Sequence, residues 1–236
     1  MLHETNVDPA EIDKFQSIAS RWWDRESEFK PLHDINPLRV AYIERQVNGL
    51  DGKQIVDIGC GGGILAEALA QRGALVTGID MAEQSLKVAR LHLHESDLEI
   101  DYQLSTAEAF AEQNAAGFDV VTCLEMLEHV PDPAAIIDAA VRLLKPDGCL
   151  ILSTLNRNPK SFALAILGAE YVLGLIPRGT HQYRRFIKPS EMAAQLRANG
   201  MRVRDISGMS YNPLTRNYTL GRDIDVNYLV TAEFDA

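Results

Sequence analysis

The stretch KQIVDIGCGGGI, residues 53–64, decides how the chain is read. Its first half is a short apolar run, the texture of a strand buried on both faces. Its second half carries Gly59, Gly61, Gly62 and Gly63, and a helical pattern starts straight after them. Glycine lets a backbone turn sharply and lets a ligand come close to the chain. Two acids sharpen the reading. Asp57 stands two residues before the first glycine, and Asp80 ends the next apolar run, where a ribose hydroxyl pair is gripped in nucleotide-type α/β folds.

A dinucleotide fits this loop less well. That fingerprint wants Gly or Ala at position 64 to pack helix on strand, and the residue is Ile64. A pyrophosphate also favours a loop and helix start free of carboxylates. An acid leading the loop suits a cationic ligand end instead. S-adenosylmethionine (SAM) has an amino group, a sulfonium and a ribose, and no phosphate.

The rhythm spreads outward from this unit. QIVDIG, ALVTGID, EIDYQL, FDVVTC and GCLILST read as five strands, with helices near 62–72, 82–95, 106–114 and 133–145 between them. That alternation predicts βαβ units around a parallel sheet. MRVRDIS and VNYLVTAEF read as two closing strands, after a helix opening at Lys188-Pro189-Ser190-Glu191. Before the core, Asp8-Pro9-Ala10-Glu11 carries a cap residue, a first-turn proline and an acid, and opens one helix. Asn36-Pro37 repeats the signal and is expected to open a second, with Arg39 in its first turn.

Composition narrows the class. The chain has 236 residues, 46% of them hydrophobic, which suits one well-filled domain. The parts are a helical cap at 1–50, a ligand-binding core at 51–156, an insertion at 157–188 and a closing helix and strands at 189–236. A net charge of −10 speaks against nucleic acid as a partner. Cys60, Cys123 and Cys149 lack zinc or disulfide spacing. The opening MLHETNVDPAE lacks a secretion signal, so a reduced, cytoplasmic setting is expected.

The segment VTCLEMLEHV, residues 121–130, crowds Glu125, Glu128 and His129 at the end of the fourth strand. On a helical turn these are i, i+3 and i+4 and share one face. Two carboxylates and one imidazole suit a divalent cation such as Mg²⁺. The same residues also suit proton transfer, with His129 as general base and Glu128 beside it. Acids are favoured in the first turn of a helix regardless of function. These readings stay open on the residues alone, and His181 is a further candidate base.

At this point the sequence resembles the class I SAM-dependent methyltransferases, through VDIGCGGG, TGID and FDVVTCLEMLEHV in their usual order. RWWD at 21–24, EFKPLHDINPLR at 28–39, EMLEHVPDP at 125–133, STLNRN at 153–158 and DVNY at 225–228 narrow the likeness. Together they resemble the ubiquinone-biosynthesis O-methyltransferases, the UbiG family. The resemblance implies a Rossmann-like, seven-stranded, mostly parallel sheet with an antiparallel last strand. It implies SAM as methyl donor. It implies methylation of 2-polyprenyl-6-hydroxyphenol to 2-methoxy-6-polyprenylphenol, and of 3-demethylubiquinol to ubiquinol. The expected cofactor set is Arg39, Asp57, Gly59, Gly61, Asp80, Met81, Thr106, Ala107 and Leu124, with Arg39 on the methionine carboxylate. Eukaryotic relatives are thought to bind a metal through the pattern of Glu125, Glu128 and His129.

The insertion carries SFALAILGAEYVLGLI followed by Arg178, His181, Arg184, Arg185 and Lys188. An apolar helix beside a basic cluster suits a membrane interface with anionic lipids. Residues 161–188 are therefore expected to touch the inner face of a membrane, where a polyprenyl substrate resides. Other enzymes of ubiquinone synthesis are further expected partners. Rival readings are a methyltransferase for another hydroxyl, an NAD-dependent oxidoreductase, and a SAM-binding scaffold without turnover.

Overall fold

The structure is a computed structural model and describes residues 6–162, 182–212 and 214–235. Helix α1 (Pro9–Ile18) and helix α2 (Lys30–Val47) form the N-terminal cap. The core then alternates β1 (Gln54–Ile58), α3 (Ile64–Ala70), β2 (Leu75–Asp80), α4 (Glu83–Ser96), β3 (Ile100–Leu104), α5 (Ala107–Gln113), β4 (Phe118–Leu124), α6 (Pro133–Leu143) and β5 (Leu144–Leu155). A single turn, α7 (Pro159–Ser161), and helix α8 (Pro189–Ala198) precede β6 (Met201–Asn212), β7 (Asn217–Gly221) and β8 (Asn227–Phe234).

The strands form one sheet in the order β3-β2-β1-β4-β5-β8-β6-β7. The pairs from β3 to β5 are parallel, and β8 runs antiparallel between β5 and β6. The strand order reverses between β1 and β4, and open α/β sheets bind ligands beyond the carboxyl ends of the strands at such a point. The expected seven-stranded core is present. An eighth strand, β7, extends its edge by pairing with β6.

Both faces of the sheet are covered, which explains the near-continuous apolar runs. On β1, Val56 and Ile58 join the cluster under α5, α6 and α8, while Ile55 joins the cluster under α2, α3 and α4. Cys60, Cys123 and Cys149 are free and buried. Pro146-Asp147-Gly148 lies inside β5: Leu144 pairs with Phe118 and Cys149 with Val120, so the turn bulges out of the ladder.

Asp8 caps α1 as expected, its side chain accepting from the Ala10 amide at 3.1 Å. The second helix corrects the sequence expectation. It starts at Lys30, not at Asn36, and Pro37 lies inside it. Pro31 already supplies the first-turn proline. Asn36 is buried and donates to the Ile64 carbonyl at 2.9 Å rather than capping. Arg39 consequently sits in mid-helix and is buried.

The cap closes on the glycine loop. Trp23 Nε1 donates to the Gly62 carbonyl at 3.0 Å, and Trp22 Nε1 donates to Ser85 Oγ at 3.1 Å. At Gly61, where φ is +53°, an added Cβ would lie 2.5 Å from the Trp22 ring. The loop is thus glycine-rich partly because an indole fills the space a side chain would need. Replacing Gly61 by Ala should cost about 2–4 kcal/mol, combining a left-handed backbone with overpacking. Urea denaturation of G61A reads this directly; a midpoint equal to that of the parent protein would contradict the clamp.

Candidate active site

A cavity of about 630 Å³ opens at the carboxyl ends of β1, β2 and β4. All nine residues expected to hold the cofactor line it, and so do Glu125, Glu128 and His129. Helix α1 and the Trp22 region close it from the cap side, and Met209, Tyr211 and Tyr218 of the β6–β7 hairpin line another wall.

The floor is built on carboxylates. Asp80 ends β2 and accepts from the Gly61 amide at 2.8 Å and the Ala82 amide at 2.7 Å. These bonds use one lone pair on each oxygen, so each oxygen retains capacity for a hydroxyl donor. Burial raises the Asp80 carboxyl above its ordinary value, with those amides pulling the other way. Asp57 faces Thr122 across the β1–β4 ladder and accepts from its hydroxyl at 2.7 Å. Burial pushes the Asp57 carboxyl up to about 7, against the pull of Thr122 and Arg39. A cation brought beside it would favour the ionised form.

Arg39 reaches from α2 to pair with Glu125, and both side chains are largely buried. Among the described residues, Arg39 Nε and Glu125 Oε1 are each buried without a partner. A guanidinium edge of this kind fits a carboxylate ligand. Thr106 caps α5, accepting from the Ala109 amide at 3.2 Å, which fixes the helix start at Ala107. At Gly59, φ is +73° and a Cβ would meet Met126 at 2.6 Å.

The expectation that Glu125, Glu128 and His129 share one helical face is corrected by the backbone. Glu125 has φ +49°, a left-handed conformation, and the short 3₁₀ turn begins only at Leu127. The three side chains therefore go to separate partners: Glu125 to Arg39, Glu128 to the Thr154 hydroxyl at 2.8 Å, and His129 Nδ1 to Glu11 Oε2 at 2.9 Å. Among the described residues no group of three or more His, Cys, Asp or Glu is arranged to hold a metal ion. The donor set does not fit a cation in this arrangement.

Arg185, read as part of a lipid-facing basic cluster, turns toward the site, pairing with Asp8 at 2.7 Å and donating to the His129 carbonyl at 3.3 Å. The carboxylate of Asp8 draws it inward. His181, Arg178 and most of the apolar insertion lie outside the described residues. Sequence reasoning missed Glu11 and Trp22 as parts of the site. Glu11 carried only a helix-start signal, and Trp22 entered through the RWWD motif of the resemblance, without a role.

A family model described as a methyltransferase domain matches residues 35–206, so the fold is that of a methyltransferase. The ubiquinone biosynthesis O-methyltransferase of Stutzerimonas stutzeri is 64% identical over 226 residues, covering 96% of this chain and 97% of the relative. That of Pseudomonas aeruginosa strain LESB58 is 62% identical over 232 residues, covering 98% and 100%. The chain belongs to the ubiquinone biosynthesis O-methyltransferase family. Among solved structures, the magnesium protoporphyrin IX methyltransferase of Synechocystis PCC 6803 with bound SAH shares the fold, with TM-score 0.69, 24% identity and coverage of 97% and 100%.

The raised Asp57 carboxyl has a stability consequence. Between its ordinary 3.8 and about 7, the folded protein holds a proton that the unfolded chain has released. The ligand-free protein is therefore expected to lose stability as pH rises through that window. Asp80 and Glu128, also raised by burial, act in the same direction. Asp57→Asn should flatten the slope and make the empty protein more stable than the parent at pH 8. Urea denaturation at pH 5 and pH 8 checks this, and identical slopes for the two proteins would contradict it.

Proposed function

We propose that this chain binds SAM along the strand ends from Arg39 to Ala107 and methylates ring hydroxyls of polyprenylated phenols. The two acceptors are 2-polyprenyl-6-hydroxyphenol and 3-demethylubiquinol. The observation that carries the reading is one cavity lined by all nine expected cofactor residues and by His129. SAM, when bound, would supply a methyl group on a sulfonium, whose carbon–sulfur bond breaks as the acceptor oxygen bonds to that carbon, leaving neutral S-adenosylhomocysteine.

The chain's own residues do the rest. Asp80 accepts from the ribose hydroxyls, and Arg39 holds the methionine carboxylate through the edge that Glu125 leaves open. Asp57 supplies negative charge near the cationic end. Gly59 and Gly61 allow the backbone to come close. Holding donor and acceptor in line supplies much of the rate. The acceptor proton is the remaining barrier, because a phenol of pKa about 10 is mostly neutral at pH 7. His129 takes that proton as the acceptor oxygen bonds to the methyl carbon. Glu128, buried and held by Thr154, supports the turn on which His129 sits.

No step is routed through a metal, since the candidate ligands are turned apart. A cation site would require Glu125 to leave Arg39 and His129 to leave Glu11. The acidic cavity suits a cationic donor better than a pyrophosphate, which disfavours the oxidoreductase reading. Among the described residues, no helix is long and apolar enough to cross a membrane. Contact of residues 161–188 with anionic lipid, and with other enzymes of ubiquinone synthesis, remains part of the proposal. Its support is the composition of that segment.

Labelled methyl transfer from SAM to short-chain demethylubiquinol, kept reduced, tests the function. Product should form and persist in EDTA, and His129→Ala should lower kcat by about 10²–10⁴-fold. Loss of product in EDTA with recovery on adding Mg²⁺ would overturn the metal-free mechanism. SAM binding without any methylated quinol would overturn the acceptor.

A further inference from the structure

We infer that Glu11, on the first helix of the N-terminal cap, is a positioning residue for proton transfer at His129. The inference rests on the reading of His129 as the general base. Glu11 Oε2 lies 2.9 Å from His129 Nδ1, and both residues line the cavity. Burial, the largest single influence, would raise the Glu11 carboxyl, but the hydrogen bond and charge of His129 together with Lys14 hold it below the ordinary value. An ionised carboxylate can only accept, so Nδ1 carries a hydrogen and the ring lone pair of the neutral imidazole sits on Nε2. Glu11 thereby selects the tautomer that a base at this position needs. It also stabilises the imidazolium formed when the proton arrives.

The surroundings fix this pair on both sides. Phe15, one turn along the same helix, meets the His129 ring edge-on, with centroids 5.3 Å apart and planes at 86°. Asp8, which caps that helix, holds Arg185, and Arg185 donates to the His129 carbonyl. Asn6 exchanges two 2.8 Å hydrogen bonds with the Asp132 backbone, three residues beyond His129. The helix bearing the carboxylate and the loop bearing the base are therefore joined at each end of the contact. A first-turn acid serving only the helix dipole would sit at the same place in the sequence. It would have no influence on the tautomer of a ring 118 residues away.

The test uses the full chain with Glu11→Ala and Glu11→Gln, and His129→Ala as reference. Two readouts are taken: steady-state kinetics with SAM and short-chain demethylubiquinol, and the ring nitrogen shifts of ¹⁵N-labelled histidine. Alanine is the best helix former, so the first variant keeps α1. Glu11→Ala should lower kcat by about 10- to 100-fold, the size of effect that loss of a hydrogen-bonded partner has on metal-bound histidines, with both KM values near those of the parent. The His129 signals should move from the Nδ1–H form to a mixture. Glu11→Gln still accepts from Nδ1–H, so it should keep the tautomer and lose less activity. Full kcat or an unchanged tautomer in Glu11→Ala, with His129→Ala inactive, would overturn the positioning role alone. Full kcat in His129→Ala would overturn the base and Glu11's role together.

Discussion

Two backbone amides, those of Gly61 and Ala82, converge on the carboxylate of Asp80, and the cavity depends on that convergence. It ties the end of β2 to the glycine loop after β1. The loop is then pinned from above. Trp22 occupies the volume beside Gly61, Trp23 donates to Gly62, and Asn36 donates to Ile64. Met126 does the same beside Gly59 from the β4 side. At Gly59, Gly61 and Gly62 the confinement leaves no room for a side chain. The loop's bare backbone is what remains for a ligand to approach.

The electrostatics of the cavity follow from the same construction. Asp57, Asp80, Glu125, Glu128 and Glu11 all line it, with Arg39 the buried counter-charge. Burial raises the carboxyls of Asp57, Asp80 and Glu128, so the empty site holds unfavourable negative charge. A cationic methyl donor relieves that charge, whereas a pyrophosphate would add to it. The cap completes the site as well as covering it. Arg39 comes from α2 and Glu11 from α1, so charged groups of the cavity come from the cap as well as from the sheet.

The sequence made the βα rhythm and the acidic, glycine-rich floor of the cavity legible because both rest on local signals. Asp57, the glycines and Asp80 sit at fixed offsets along two adjacent strands. Features that depend on distant partners were not legible. The Asn36-Pro37 pair looks like a helix start, but Asn36 is engaged by Ile64 from 28 residues away. Spacing put Glu125, Glu128 and His129 on one face, which assumes helical backbone; the left-handed Glu125 breaks that assumption. Glu11 and Arg185 reach the His129 loop across 118 and 56 residues. Strand β7 is five residues at a sheet edge, where only pairing with β6 marks it.

The most direct test is a crystal structure of the protein with S-adenosylhomocysteine bound. Its ribose hydroxyls should lie within hydrogen-bonding distance of the Asp80 carboxylate. Its amino-acid carboxylate should meet Arg39, and its adenine should lie beside Thr106 and Ala107. A ligand with its ribose away from Asp80, or its carboxylate away from Arg39, would contradict the assignment of this cavity as the methyl-donor site.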